Sequence, residues 1–113
     1  MGASLNKFET EVKRGSLQIV ILYLLEEERY GYDIIKNLKE EGFIVEEGTL
    51  YPILKRLEDE KMLTSRWDVT GQRPRKYFVV TDYGKFVRQK LFESLKHITG
   101  TVEKMESRIN EGP

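Results

Sequence analysis

The chain of 113 residues contains no cysteine, a single histidine and no apolar run long enough to cross a membrane. Without cysteine there is no disulfide bond, no thiolate nucleophile and no cysteine-ligated zinc site. One histidine, His97, excludes a multi-histidine metal centre and a catalytic triad. The longest apolar run, residues 17–25, includes Gln18 and is too short to span a bilayer. These absences predict a cytoplasmic protein of one domain, with no cofactor and no membrane partner.

Charge is balanced overall but unevenly distributed along the chain. There are 19 basic and 19 acidic side chains. Residues 26–48 carry three basic and eight acidic side chains, whereas residues 49–80 carry seven basic and four acidic ones. A basic middle third on a neutral protein indicates a local surface for a polyanion, although an ordinary solvated surface can have the same composition.

The hydrophobic pattern predicts a mainly α protein with a small β-hairpin. In chain order, the predicted elements are a helix before a cap or bend at Gly15, a helix or buried strand over residues 17–25, helices over 33–41 and 46–61, strands over 63–69 and 75–81, and a helix over 82–110. Three glutamates at 26–28 favour the helix for residues 17–25, since glutamate is a poor strand former. Three helices followed by a hairpin are the elements of a winged helix-turn-helix.

The third predicted helix has the pattern of a recognition helix. Its leucines and isoleucine form one apolar stripe, which leaves Tyr51 and Lys55 on the exposed side and Thr49 in the leading turn. A helix with low bulk at its exposed start can enter the major groove of DNA, where Lys55 can reach a phosphate or a guanine edge. Glu46 and Glu47 oppose this interpretation because carboxylates repel phosphates. A surface helix with one chance lysine is the alternative.

The turn of the predicted hairpin is rich in cations. Arg73, Arg75 and Lys76 lie within four residues, and Gly71, Gln72 and Pro74 shape the turn. A β-wing of this kind places cations along phosphates or in a minor groove. Charges that protect an edge strand from aggregation are the alternative. On the second helix, Tyr32 and Lys36 are predicted contacts with the DNA backbone.

Apolar residues on the last predicted helix recur at intervals of four and three. They are Leu91, Leu95, Ile98, Val102 and Met105. This spacing is the seam along which helices pair. Since no other predicted element is left to cover the seam, it predicts a homodimer, and folding back on its own domain is the alternative.

Four groups of residues, in this order and spacing, resemble the PadR family of transcriptional regulators, in its short subfamily with a single C-terminal helix. The groups are RGSL at 14–17 leading into ILYLL at 21–25, YGYDI at 30–34, GTLYPILKRLE at 48–58, and RPRKYF at 73–78 with TDYG at 81–84. The resemblance implies a dimeric winged-helix repressor that binds a palindromic double-stranded DNA operator and is released by a small hydrophobic or aromatic effector. It divides the chain into an N-terminal helix with a winged helix-turn-helix DNA-binding domain, residues 1–81, and a C-terminal dimerisation helix, residues 82–113.

The effector site is expected at an apolar gap between the two subunits. Phe92 and Leu95 begin the seam, and Phe8 and Val12 come close if the N-terminal helix packs across it. Short family members that sense drugs can carry a tryptophan where this chain has Leu95. A core filled by these side chains is the alternative to a ligand site. The alternative function is a winged-helix module that binds a protein and not DNA; an enzyme is disfavoured because no paired acid and base groups are evident.

Overall fold

The computed structural model describes residues 2–112, which form four helices and one three-stranded antiparallel sheet. In chain order the elements are α1 (Gly2–Leu24), β1 (Arg29–Tyr30), α2 (Gly31–Glu40), α3 (Glu47–Asp59), β2 (Leu63–Asp68), β3 (Arg75–Val80) and α4 (Asp82–Glu111). The strand order is β1-β3-β2, so β3 is the central strand and pairs with β2 in the hairpin on one side and with β1 on the other. The second half of α1, α2, α3 and the sheet form a winged helix-turn-helix, and the long helix α4 follows it, which confirms the predicted fold class.

The first two predicted segments form one continuous helix. α1 passes through Gly15 without the expected cap or bend. Beyond its chain neighbours and the backbone of α1, a Cβ placed on Gly15 would meet no heavy atom of the described residues within 4 Å, so the exposed glycine weakens the helix only through its backbone freedom. Residues 17–25 supply four side chains to the core, and their burial stabilises this half of α1 as a helix. The helix is the alternative that the glutamates at 26–28 favour.

The core lies where α1, α2 and α3 meet the base of the hairpin. The largest fully buried side chains are Ile21, Leu22, Leu25, Ile34, Leu38, Leu50, Leu54 and Leu63. Burying one leucine stabilises the fold by about 1.5–3 kcal/mol before entropy is counted. The predicted stripe on α3 is confirmed, since Leu50, Leu54 and Leu57 are buried. The opposite side of α3 is therefore left facing solvent.

The hairpin leaves the core as it extends toward its turn. At its base Leu63 pairs with Val80 and both are buried, whereas Asp68 pairs with Arg75 at the outer end. Trp67 is 62% exposed and Val69 is 70% exposed, so the hairpin is buried only near its base. The outer half of the hairpin is a projecting wing.

The last helix begins immediately after the sheet. β3 ends at Val80, and Thr81 caps α4 by accepting a hydrogen bond from the backbone N–H of Gly84 at 3.0 Å. Arg88 ties the first turns of α4 to α1, because its guanidinium donates to the Leu22 carbonyl and pairs with Glu26, both at 3.0 Å. Among residues 2–112 no helix is both long and apolar enough to cross a membrane.

Candidate nucleic-acid interface

A concave groove of about 940 Å³ separates the wing from the starts of α2 and α3. Its lining residues are Tyr30, Gly31, Tyr32, Tyr51, Trp67, Asp68, Thr70, Gly71, Gln72, Arg73, Pro74, Arg75 and Lys76. The structure thus brings together, around one groove, five of the residues that the sequence predicts to contact DNA: Tyr32, Tyr51, Arg73, Arg75 and Lys76.

Three other predicted contacts lie outside this groove. Lys36 on α2 and Thr49 and Lys55 on α3 are all exposed. Lys55 pairs with Asp59 one turn later at 3.5 Å, but its side chain is 77% exposed. Exposed ion pairs of this kind contribute little, so the lysine can exchange its partner for a phosphate.

Tyr51 is held in place by a glycine of α2. A Cβ on Gly31 would lie 2.1 Å from the Tyr51 hydroxyl oxygen, so the phenol packs directly on the glycine backbone. Partial burial, with a smaller effect from the carboxylate of Glu47, raises the pKa of Tyr51. The hydroxyl therefore stays protonated at neutral pH and can donate a hydrogen bond to a phosphate.

Two arginines of the wing are free to bind an anion. Arg73 lies in the exposed turn, and the Arg75 guanidinium stacks over the Tyr30 ring at 4.7 Å from its centroid. Among residues 2–112 neither arginine has a carboxylate within 4.0 Å. A side-chain hydrogen bond with Tyr77, with smaller Coulombic attraction from Tyr30 and Asp33, raises the pKa of Arg75, and stacking on Tyr30 orients the charged guanidinium.

Lys76 is placed differently from the two arginines. Its Nζ atom lies 3.4 Å from a carboxylate oxygen of Glu58 on α3 and 5.3 Å from the centroid of the Phe78 ring. The ammonium group therefore faces the angle between the wing and α3. The three cations predicted for the wing divide into two free arginines and one paired lysine.

A second ion pair, which the sequence pattern does not reveal, supports the other side of the wing. Arg66 on β2 makes a bidentate contact with Glu28, with N–O distances of 2.6 and 2.8 Å, and lies over the Tyr77 ring. The hydrogen bonds from Arg66 lower the pKa of Glu28. The partners are 38 residues apart, and nothing in local sequence indicates that they meet.

An apolar cavity of about 570 Å³ lies between α1 and α4, near the end of α2. Phe92 and Leu95, which the sequence assigns to an effector site between subunits, line this pocket within one subunit, and Tyr23 meets Phe92 edge-on with ring centroids 6.2 Å apart. The other lining residues are Ile19, Val20, Leu24, Glu41 and Phe43. Phe8 and Val12 lie outside the cavity, exposed on the N-terminal half of α1.

The predicted seam lies on the free part of α4. Ile98, Val102 and Met105 are each more than half exposed, and Leu91 is 37% exposed, whereas Leu95 is half-buried at the cavity. The Cα radius of gyration is 17.4 Å, compared with about 13 Å for a compact domain of this length. α4 and the start of α1 thus project from the core with apolar side chains in solvent.

Comparison with known proteins gives consistent matches. The model of the transcriptional regulator PadR-like family matches residues 21–90. The crystal structure of a PadR family transcriptional regulator from Eggerthella lenta has 35% sequence identity and a TM-score of 0.88, over 92% of this chain and 93% of that one. A PadR-like transcription factor from Bacteroides fragilis has 38% identity and a TM-score of 0.75, over 88% and 98% of the two chains. A transcriptional regulator from Mycobacterium tuberculosis is 33% identical over 76 residues, which cover 66% of this chain and 71% of that protein.

Proposed function

Because the chain belongs to the PadR-like family of transcriptional regulators, we propose that it is a cytoplasmic repressor that binds a palindromic DNA operator as a homodimer. The observation that supports these particular DNA contacts is the groove between the wing and the starts of α2 and α3. It places free arginines and tyrosine hydroxyls around one concave surface. Its donors match the phosphate oxygens of a duplex.

Each element has a distinct part in the proposed complex. α3 enters the major groove, where Lys55 and Thr49 reach base edges and the fixed Tyr51 hydroxyl donates to a phosphate. On the wing, Arg73 and Arg75 follow the phosphates of the adjacent backbone.

Two contacts from α2 complete the proposed interface. Tyr32 is 66% exposed at the edge of the groove, and Lys36 is exposed one turn further along the helix. Both are suited to hold the sugar-phosphate backbone and carry no sequence information.

The wing arginines are expected to set the salt dependence of DNA binding. In a titration with a random duplex longer than two helical turns, replacing Arg75 by alanine should reduce the slope of log affinity against log salt by roughly 0.9 for each phosphate that the variant no longer neutralises. Fluorescence anisotropy at several salt concentrations measures this slope.

Lys104→Ala, which removes one positive charge from exposed α4, is the matched control and should leave the slope unchanged. An unchanged slope in Arg75→Ala would remove the wing from the interface. If the wild-type protein showed no salt-dependent affinity for duplex DNA, the winged-helix domain would be better described as a protein-binding module.

The proposed homodimer forms along the seam of α4, assisted by the exposed apolar residues of α1. Pairing two such faces covers side chains that one subunit leaves in water, which stabilises the pair. A two-fold axis along the seam would set the two α3 helices in major grooves one turn apart, ~34 Å, on a palindromic site.

A small hydrophobic or aromatic effector is proposed to bind beside the seam and release the DNA. The cavity at Phe92 and Leu95 is apolar but open to solvent in one subunit, so the second subunit would have to cover it to enclose a small molecule. The exposed Phe8 and Val12 are assigned to the same site across the dimer axis. The dimer can hold its two α3 helices at a separation that fits the operator or at one that does not. A ligand that binds the second state more tightly lowers DNA affinity by the ratio of its affinities for the two states.

Leu95 is expected to determine the affinity for such an effector. In a titration of the DNA-bound protein with a panel of planar hydrophobic compounds, Leu95→Ala should weaken any compound that releases DNA by about tenfold, because it removes apolar surface from the cavity wall. Ile109→Ala, at the far end of α4, is the control. A panel without any releasing compound would contradict the effector, and an unchanged affinity in Leu95→Ala would place its site elsewhere.

A further inference from the structure

We propose that Glu58 is a positioning residue which, with Ser65 and Lys76, fixes the angle between α3 and the wing. We call these three residues the wing clasp. The clasp joins the last turn of the recognition helix to both strands of the hairpin. Its role in DNA binding rests on the function proposed above, while its mechanical role can be tested without DNA.

The clasp is built from one carboxylate and two donors. Glu58 accepts a hydrogen bond from the Ser65 hydroxyl on β2 with one oxygen, and the other oxygen lies 3.4 Å from the Lys76 Nζ atom on β3. The side chains of Glu58 and Lys76 are 28% and 35% exposed, so the contact is partly shielded from water. Each strand of the wing is therefore attached separately to the same helix residue.

The clasp lies where the apolar support of the hairpin ends. Phe78, which is opposite Ser65, is buried, whereas Trp67, which is opposite Lys76, is mostly exposed. Beyond this point residues 69–74 form the turn of the wing and carry Arg73, while Arg75 lies on β3 next to Lys76. A rotation of the wing at the clasp therefore displaces Arg73 in the turn the most, and it shifts Arg75 together with the strand that Lys76 holds.

The contacts of Lys76 separate it from the phosphate-binding cations. Its ammonium group has Glu58 on one side and the rings of Trp67 and Phe78 at 5.9 and 5.3 Å. To bind a phosphate, the Lys76 ammonium group would have to give up its contacts with the Glu58 carboxylate and with both aromatic rings. We therefore assign Lys76 to the support of the wing, in place of the direct DNA contact that its position in the sequence predicts.

Electrostatics and positioning predict opposite effects for Glu58→Gln. If Glu58 only neutralised Lys76, its removal would add a free cation near the DNA and strengthen binding to a random duplex. If Glu58 positions the wing, the same substitution weakens that binding, by roughly fivefold for the removal of a partly shielded charged hydrogen bond. Glu60→Gln makes the same charge change two residues later at an exposed position, and it should bind the duplex at least as tightly as the wild-type protein.

The single tryptophan of the chain reports on the wing without DNA. Trp67 lies on the wing beside Lys76, and uniformly ¹⁵N-labelled full-length protein gives one indole N–H signal. In free Glu58→Gln protein the heteronuclear NOE of this signal should fall, because the outer wing moves more freely. In Glu60→Gln it should equal the wild-type value. Adding Lys76→Met to Glu58→Gln should weaken duplex binding no further, since both changes open the same ion pair.

The two readouts distinguish the proposals. A wild-type protein that does not bind duplex DNA would contradict the proposed function, while the indole NOE would still decide whether Glu58 holds the wing. Tighter duplex binding by Glu58→Gln, or an indole NOE equal to that of the wild-type protein, would overturn the wing clasp. Additive reductions of affinity in the double variant would also overturn it, because they would return Lys76 to the DNA interface.

Discussion

Replacing Gly84 by alanine is expected to lower the free energy of unfolding by about 3 kcal/mol, near the upper end for overpacking a tight site. A Cβ at this position would lie 2.2 Å from the backbone carbonyl oxygen of Met62 and 2.7 Å from a methyl group of Val80. Because the first obstacle is main chain, no side-chain rotation can relieve the clash. The first turn of α4 would have to separate from the turn before β2, which would break the 3.0 Å hydrogen bond from the Thr81 N–H to the Met62 carbonyl.

The matched control is a second glycine on the same helix. Apart from its chain neighbours and its own helix backbone, a Cβ on Gly100 would have no heavy atom of residues 2–112 within 4 Å, so Gly100→Ala should stabilise the protein by up to about 1 kcal/mol through helix propensity alone. Urea unfolding at one fixed protein concentration compares the two variants, since the stability of a dimer depends on concentration. A destabilised Gly100→Ala would place the second subunit against this position, and an unchanged stability in Gly84→Ala would contradict the close approach of Met62.

Introducing a charge at the middle of the seam is expected to separate the subunits. Ile98 is 59% exposed in the single subunit and occupies the centre of the proposed seam. In Ile98→Asp the dimer would bury two unpaired carboxylates, which costs far more than removing the apolar side chains alone. Sedimentation equilibrium should give a mass near 13.3 kDa in place of twice that value. Operator affinity should fall by about 100-fold or more, because two linked DNA-binding domains become independent.

Ser107→Asp introduces the same charge on the opposite side of α4. Position 107 lies nine residues after Ile98, which is half a turn around the helix at about 100° per residue. This variant should remain dimeric and bind DNA as the wild-type protein does. If Ile98→Asp still sedimented as a dimer, the seam would lie on another face of the molecule.

Most of the fold could be predicted because most elements carry their own hydrophobic period. The stripe on α3 can be recognised without knowing its partners. The resemblance over about residues 14–90 to a family of regulators is confirmed by the family match over residues 21–90, as is the prediction that the chain is not an enzyme. β1 could not be predicted, since two residues show no period. Arg29 and Tyr30 form a strand only because they pair with Phe78 and Tyr77 of β3.

The residue types of the candidate DNA interface could be predicted from the sequence, but the ion pairs among its side chains could not. The cluster of cations in the wing turn is visible in the sequence, whereas the pairing of Lys76 with Glu58 depends on the packing of the hairpin against α3. The same limit applies to Arg66 and Glu28, which are joined across 38 residues. The number of basic residues alone therefore overestimates the positive charge that the wing offers to DNA.

Because α4 follows β3 directly, the number of residues between the sheet and the seam determines how the two DNA-binding domains are oriented in the proposed dimer. Thr81 is both the exit from the sheet and the cap of the helix, so no flexible linker absorbs a change in length. One residue inserted early in α4 would turn every later side chain by about 100° and advance it by about 1.5 Å. The two winged helix-turn-helix domains would then be rotated relative to the dimer axis, and their α3 helices could not both enter the major groove of a straight duplex. In the proposed dimer, the rotation of α4 about its own axis would therefore set the spacing of the two half-sites on the operator.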